Sequence, residues 1–129
     1  MRQYRSVIKT NKFPQLTRRV FTTADGLKSD NITAMRFDKN GVLFVGTDKG
    51  LARFDGEKFS PVSIGAKDAA ISMIYFNAEN HMFVGVGNAM LEFDGKKKLS
   101  EKKFSSKLID IEVDLDGATW ILTESVLYK

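Results

Sequence analysis

The sequence predicts an all-β fold of β-propeller blades, each a four-stranded antiparallel sheet, with about three blades per chain. Three observations predict it: an internal repeat close to 39 residues long, apolar runs of strand length with no helical periodicity, and Asp-Gly or Asn-Gly turns between those runs.

The repeat is read from three copies of one pattern. Ile32-Thr33-Ala34-Met35-Arg36-Phe37, the turn Asp38-Lys39-Asn40-Gly41, Val42-Leu43-Phe44-Val45-Gly46-Thr47 and Gly50-Leu51-Ala52-Arg53-Phe54-Asp55-Gly56 form the first. The second runs from Ile71 to Phe76, turns at 77–81, and continues as Met82-Phe83-Val84-Gly85-Val86 and Ala89-Met90-Leu91-Glu92-Phe93-Asp94-Gly95. The third has Leu108-Ile109-Asp110-Ile111-Glu112-Val113, the turn Asp114-Leu115-Asp116-Gly117, then Ala118-Thr119-Trp120-Ile121-Leu122-Thr123. Phe37, Phe76 and Val113 are equivalent, at offsets of 39 and 37 residues.

Strands are expected in the first unit at 32–37, 42–46, 51–54 and around 58–62, giving blade one over 32–62. Blade two is expected over 71–104, with its last strand around 99–104, and a partial blade three over 108–129. These units form a single repeat domain, 1–129, preceded within it by a closing strand at 14–22. The second strand of each unit is apolar on both faces, as a sheet sandwiched between neighbours requires. Phe44, Phe83 and Trp120 occupy equivalent places in it and are expected to be buried between blades.

Composition narrows the chemistry. The 129 residues are 43% hydrophobic, enough for a core, and no apolar run reaches the roughly 20 residues of a membrane helix. No signal peptide is read in this chain, and no membrane insertion is expected. The absence of cysteine excludes disulfides, thiolate metal sites and cysteine nucleophiles. A net charge of +4 comes from short clusters such as Arg18-Arg19, Lys96-Lys97-Lys98 and Lys102-Lys103. Lysines of this kind in turns and edge strands solvate an exposed edge, so no nucleic-acid partner is expected.

No catalytic constellation is legible. Glu112-Val113-Asp114-Leu115-Asp116-Gly117 imitates the start of a calcium loop, but the twelfth position, which must supply a bidentate carboxylate, is Thr123. His81 is the single histidine and sits in a hairpin turn, which leaves zinc and a Ser-His-Asp triad without partners. The aspartates of the Asp-Gly turns are accounted for by the turns. No metal, no cofactor and no enzymatic activity are therefore expected.

Residues 21–32, Phe21-Thr22-Thr23-Ala24-Asp25-Gly26-Leu27-Lys28-Ser29-Asp30-Asn31-Ile32, together with Asp38-Lys39-Asn40-Gly41, Phe44-Val45-Gly46-Thr47 and the Phe54-Asp55-Gly56 turn, resemble the two-component regulator propeller repeat. The second unit keeps the strands and the Phe-Asp-Gly turn but has Gly65-Ala66-Lys67-Asp68-Ala69-Ala70 in place of the Asp-Gly-Leu loop. The resemblance implies a blade of a bacterial sensor propeller, of the type found in periplasmic parts of hybrid histidine kinases that respond to oligosaccharides, and hence an extracytoplasmic location.

A non-catalytic ligand-recognition or sensing module, with an oligosaccharide or other small molecule as ligand, is the leading expectation. Propeller architecture places a ligand at the loops joining one blade to the next, which makes Lys28, Asp30, Asn31, Lys67 and Asp68 the candidate ligand-binding residues. The alternatives are a structural repeat protein that self-associates to complete a propeller, and a polysaccharide-acting enzyme. Three blades cannot close a ring. A homodimer is expected, each chain lending its N-terminal strand to the partner's third unit to complete a ring of about six blades, with a piece of a longer propeller as the rival reading.

Overall fold

The computed structural model of the chain describes residues 18–129. Among these, eleven strands form three antiparallel sheets. The first holds β1 (Ile32–Phe37), β2 (Leu43–Thr47), β3 (Gly50–Phe54) and β4 (Phe59–Val62) in the order β1-β2-β3-β4. The second repeats that meander with β5 (Ile71–Phe76), β6 (Met82–Val86), β7 (Ala89–Asp94) and β8 (Lys97–Lys103). The third is three-stranded, with β9 (Leu108–Val113), β10 (Thr119–Thr123) and the short β11 (Leu127–Tyr128).

The first hairpin of every sheet is closed by one side chain. Asp38 Oδ1 accepts from the N–H groups of Asn40 and Val42, both at 2.9 Å. Asn77 Oδ1 accepts from Glu79 at 3.0 Å and His81 at 2.9 Å, and Asp114 Oδ1 from Asp116 and Ala118 at 2.9 Å each. An acceptor two and four residues ahead of these donors fixes the reversal locally, which is why Asp or Asn recurs there. Each first strand also carries a bulge at its second residue, Thr33, Ser72 or Ile109, where the register slips by one.

The core lies between the sheets. Ala34, Phe44, Leu51 and Val62 of the first sheet face Ile74, Phe76, Val84 and Leu91 of the second, and the rings of Phe44 and Phe76 lie 5.1 Å apart. Arg36 Nε crosses the same interface to donate to the Ile74 carbonyl at 3.2 Å. A Cβ on Gly46 would sit 2.5 Å from Ile71 Cγ2, so the glycine sets how closely the sheets approach. The opposite face of the second sheet, with Met73, Tyr75, Phe83 and Met90, packs on Leu108, Ile111 and Ile121 of the third.

This stacking corrects one expectation. Trp120 stands on the same face of its strand as Phe44 and Phe83, pairing with Glu112, but that face of the third sheet has no sheet against it among the described residues. The indole is half-buried, with Lys129 Nζ 5.1 Å from its ring centroid, and Phe44 and Phe83 are likewise only partly buried although each has a sheet against it.

Of the expected closing strand, residues 14–17 lie outside the described residues. Residues 18–22 pair with no strand among the described residues and instead lie on the first sheet of their own chain. Phe21 packs edge-on to Phe54 and Phe59 at 5.2 and 5.6 Å, and Arg19 Nη2 donates to the Glu57 carbonyl at 2.8 Å.

Candidate functional site

The loops entering β1 and β5 and the β2–β3 turn meet at one end of the sheets. The first loop is shaped by a capped 3-10 turn, Thr23–Asp25, in which Thr22 Oγ1 accepts from Ala24 N at 3.2 Å and Asp25 Oδ2 from Thr22 N at 2.9 Å. Gly26 then adopts φ 103°, with its Cα against the Phe59 backbone, and Leu27 is buried on Val45, Ala52 and Phe59. The Asp-Gly-Leu triplet thus supplies a cap, a left-handed residue and an anchor.

The anchor projects Lys28 over the β2–β3 turn, where its side chain runs against Gly50, and Lys28 Nζ lies 3.8 Å from Asp68 Oδ1 of the next loop. Asn31 joins the loop to the turn twice: its Nδ2 donates to Asp48 Oδ2 at 3.2 Å, and its carbonyl accepts from Asp48 N at 3.2 Å. The equivalent backbone bond recurs in the third unit, from Glu124 N to the Lys107 carbonyl at 2.9 Å. The Ser29 hydroxyl and then the Asn31 amide hold the Asp48 carboxyl below its ordinary range.

Of the five residues expected from the sequence, Lys28 and Asp68 are brought into an ion pair and Asn31 is tied to Asp48. Asp30 Oδ1 accepts from Thr23 N at 2.9 Å, so it braces its own loop. Lys67 is exposed, and no hydrogen bond or ion pair joins it to the others among the described residues. Asp48 and Ser29 belong to the same cluster and are not among those five. The signal for Asp48 was present in the polar Thr47-Asp48-Lys49-Gly50 turn between two apolar strands.

Thr47, fully buried, closes that turn by donating from Oγ1 to the Gly50 carbonyl at 3.1 Å and accepting from Lys49 N at 3.1 Å. Thr123 does the same job in the third sheet, donating to the Val126 carbonyl at 3.0 Å.

Elsewhere Asp114, His81 and Glu92 are engaged in structure. Asp114 Oδ2 accepts from the Trp120 indole at 2.9 Å, and its other oxygen closes the hairpin. His81 is half-buried in its turn, with Nδ1 3.1 Å from Glu92 Oε2, whose other oxygen accepts from Ser100 Oγ at 3.1 Å. A cleft of about 980 Å³ separates the first and second sheets along their outer strands, floored by Phe44, Phe76 and Phe93, with Arg53, Glu79 and Lys96 at its rim.

The Asp114 carboxyl is held below its ordinary value of 3.8, chiefly by the indole N–H and then by the Ala118 N–H. A depressed carboxylate stabilises the fold above its unfolded pKa, and this contribution is lost as the pH falls through the folded value, below about 3.8. Trp120→Phe removes the indole donor, so carboxyl-resonance titration should show Asp114 moving up towards 3.8 while the other carboxyls stay in place. An unchanged titration would mean that the indole bond is not formed in solution.

Residues 26–49 match the two component regulator propeller family. The match runs from the left-handed glycine through β1, the Asp38 hairpin and β2 to the polar turn, and so covers the elements that build this cluster in the first blade. None of the curated proteins matches the chain. No helix among the described residues is long and apolar enough to cross a membrane.

Proposed function

We propose that the chain is a non-catalytic sensing module whose ligand is recognised at the loop end of its blades, with an extracytoplasmic location. The observation that carries this reading is the linkage of Lys28 in the first inter-blade loop to Asp68 in the second, beside the Asn31–Asp48 pair. Side chains from two blades and one turn converge there, and they offer a cation, two carboxylates and an amide. Such a set suits a polyhydroxylated ligand, which needs donors and acceptors at fixed separations more than it needs charge.

The exposed Lys28–Asp68 pair contributes little to stability, since surface ion pairs are worth about 0–1 kcal/mol. Its variants therefore separate binding from folding. Thermal shift against a panel of oligosaccharides is expected to give a ligand-dependent rise in Tm that Lys28→Ala and Asp68→Ala each remove, with the melting temperature without sugar almost unchanged. A rise that survives both substitutions would place recognition elsewhere, and no rise with any sugar would overturn the carbohydrate reading.

A further inference from the structure

The cleft between the first and second sheets shares no residue with the loop-end cluster, and its volume of about 980 Å³ falls in the range of small-molecule sites, roughly 300–1,000 Å³. Both of its walls are described strands. Packed sheets stand about 10 Å apart, and here the outer strands leave that space unfilled above the apolar floor of Phe44, Phe76 and Phe93. A slot between two sheets with rings at its base suits a flat apolar group.

Charge at the rim is set by cross-strand neighbours. On the first sheet Arg53 pairs with Phe44 on one side and Ser60 on the other. Neither neighbour can neutralise it, and no hydrogen bond or ion pair engages its guanidinium among the described residues. The second sheet gives the contrast, since Glu92 holds the equivalent place, 39 residues on, between Phe83 and Ser100. That carboxylate is satisfied within its own sheet, by Ser100 Oγ and His81 Nδ1, each at 3.1 Å. Across the cleft from Arg53 stands a second cation, Lys98, the cross-strand neighbour of Phe93, which is bonded to Glu101. Asp38, Glu79 and Asp94 also line the cleft, from the hairpin end of the sheets, and none pairs with Arg53. Asp38 is committed to closing its hairpin, and Asp94 lies 4.0 Å from His81 Nε2.

From this arrangement we infer that the cleft is a binding site for a small aromatic carboxylate, whose ring enters the slot over the phenylalanine floor and whose carboxylate is met by Arg53. The guanidinium presents paired N–H donors that match two carboxylate oxygens, and Ser60 beside it offers a further donor. An apolar ring brings no polar group that the floor would leave unpaired. The inference is independent of the loop-end reading, which uses none of these residues.

Isothermal titration calorimetry of the full chain with naphthoate tests it, with naphthamide as the uncharged ligand of the same shape. The carboxylate is expected to bind about tenfold more tightly than the amide, the difference that one charge-assisted contact makes. Arg53→Gln, at an exposed position, is expected to weaken naphthoate by about tenfold with the melting temperature unchanged. Lys28→Ala is expected to leave its Kd within about threefold. A full chain that binds no naphthoate, as it would if other residues of the chain fill the slot, overturns the inference. So does naphthamide binding as tight as naphthoate, and so does an affinity unchanged by Arg53→Gln. Equal weakening by Arg53→Gln and Lys28→Ala overturns it as well, because the anion would then be answering the net positive charge and not the cleft.

Discussion

Phe76→Ala is expected to lower the unfolding free energy by about 3–5 kcal/mol, the range for deleting a buried aromatic from a packed interior. Phe76 is 5% exposed and fills the space between the first and second blades against Phe44. Its removal leaves a cavity that neither sheet can collapse into, because β-sheet backbones on both sides are held by their ladders. Domains of this size have only about 5–15 kcal/mol in total, so the variant should be near the limit of folding at physiological temperature. Urea denaturation followed by far-ultraviolet circular dichroism reads the change. Trp120→Ala makes the contrast: its side chain is half-exposed and should cost markedly less. Equal costs for the two would show that the outward face of the third blade is covered in solution.

Gly26→Ala should be of similar size for a different reason. The residue holds φ 103°, which an L side chain adopts only with strain, and a Cβ there would lie 1.9 Å from the Phe59 carbonyl oxygen. Backbone strain of about 1–2 kcal/mol and overpacking of about 1–3 kcal/mol together give roughly 2–5 kcal/mol. Because Gly26 precedes the buried Leu27 and then Lys28, the substitution should also displace the loop and weaken any ligand response. Equilibrium unfolding, with the same sugar panel as before, measures both effects. Full stability in this variant would mean that the loop leaves the Phe59 strand in solution.

Strand positions were legible wherever a side chain closes its own turn. Asp38, Asn77 and Asp114 announce the first hairpin of each sheet by residue type alone, because the bonds they make are with atoms two and four residues away. The family resemblance was legible for the same reason, since Thr22, Asp25, Gly26 and Leu27 fold within a single loop. What sequence periodicity could not supply was the partner of each face. Phe44, Phe83 and Trp120 share one position, yet only the first two are overlaid by another sheet, and nothing in their local sequence carries that difference. The site was partly legible in the same sense. Polarity of the inter-blade loops marked Lys28 and Asp68, while the roles of Asp30 as a brace and of Asp48 as Asn31's partner depend on contacts 7 and 17 residues apart. The engagement of His81 by Glu92 is likewise a cross-strand contact, 11 residues distant.

Each sheet is built from consecutive strands, and among the described residues only the second has a sheet on both sides. A stack of this kind opens from its ends, because an outer unit gives up one interface on opening and the middle unit must give up two. Native-state hydrogen exchange should therefore be slowest at the amides of β5, β6 and β7, faster in the first sheet, and fastest in β10 and β11. The chain would then lose its third blade while the first two still hold together, so that solvent reaches the amides of the loop at Lys28 later than those beside Trp120.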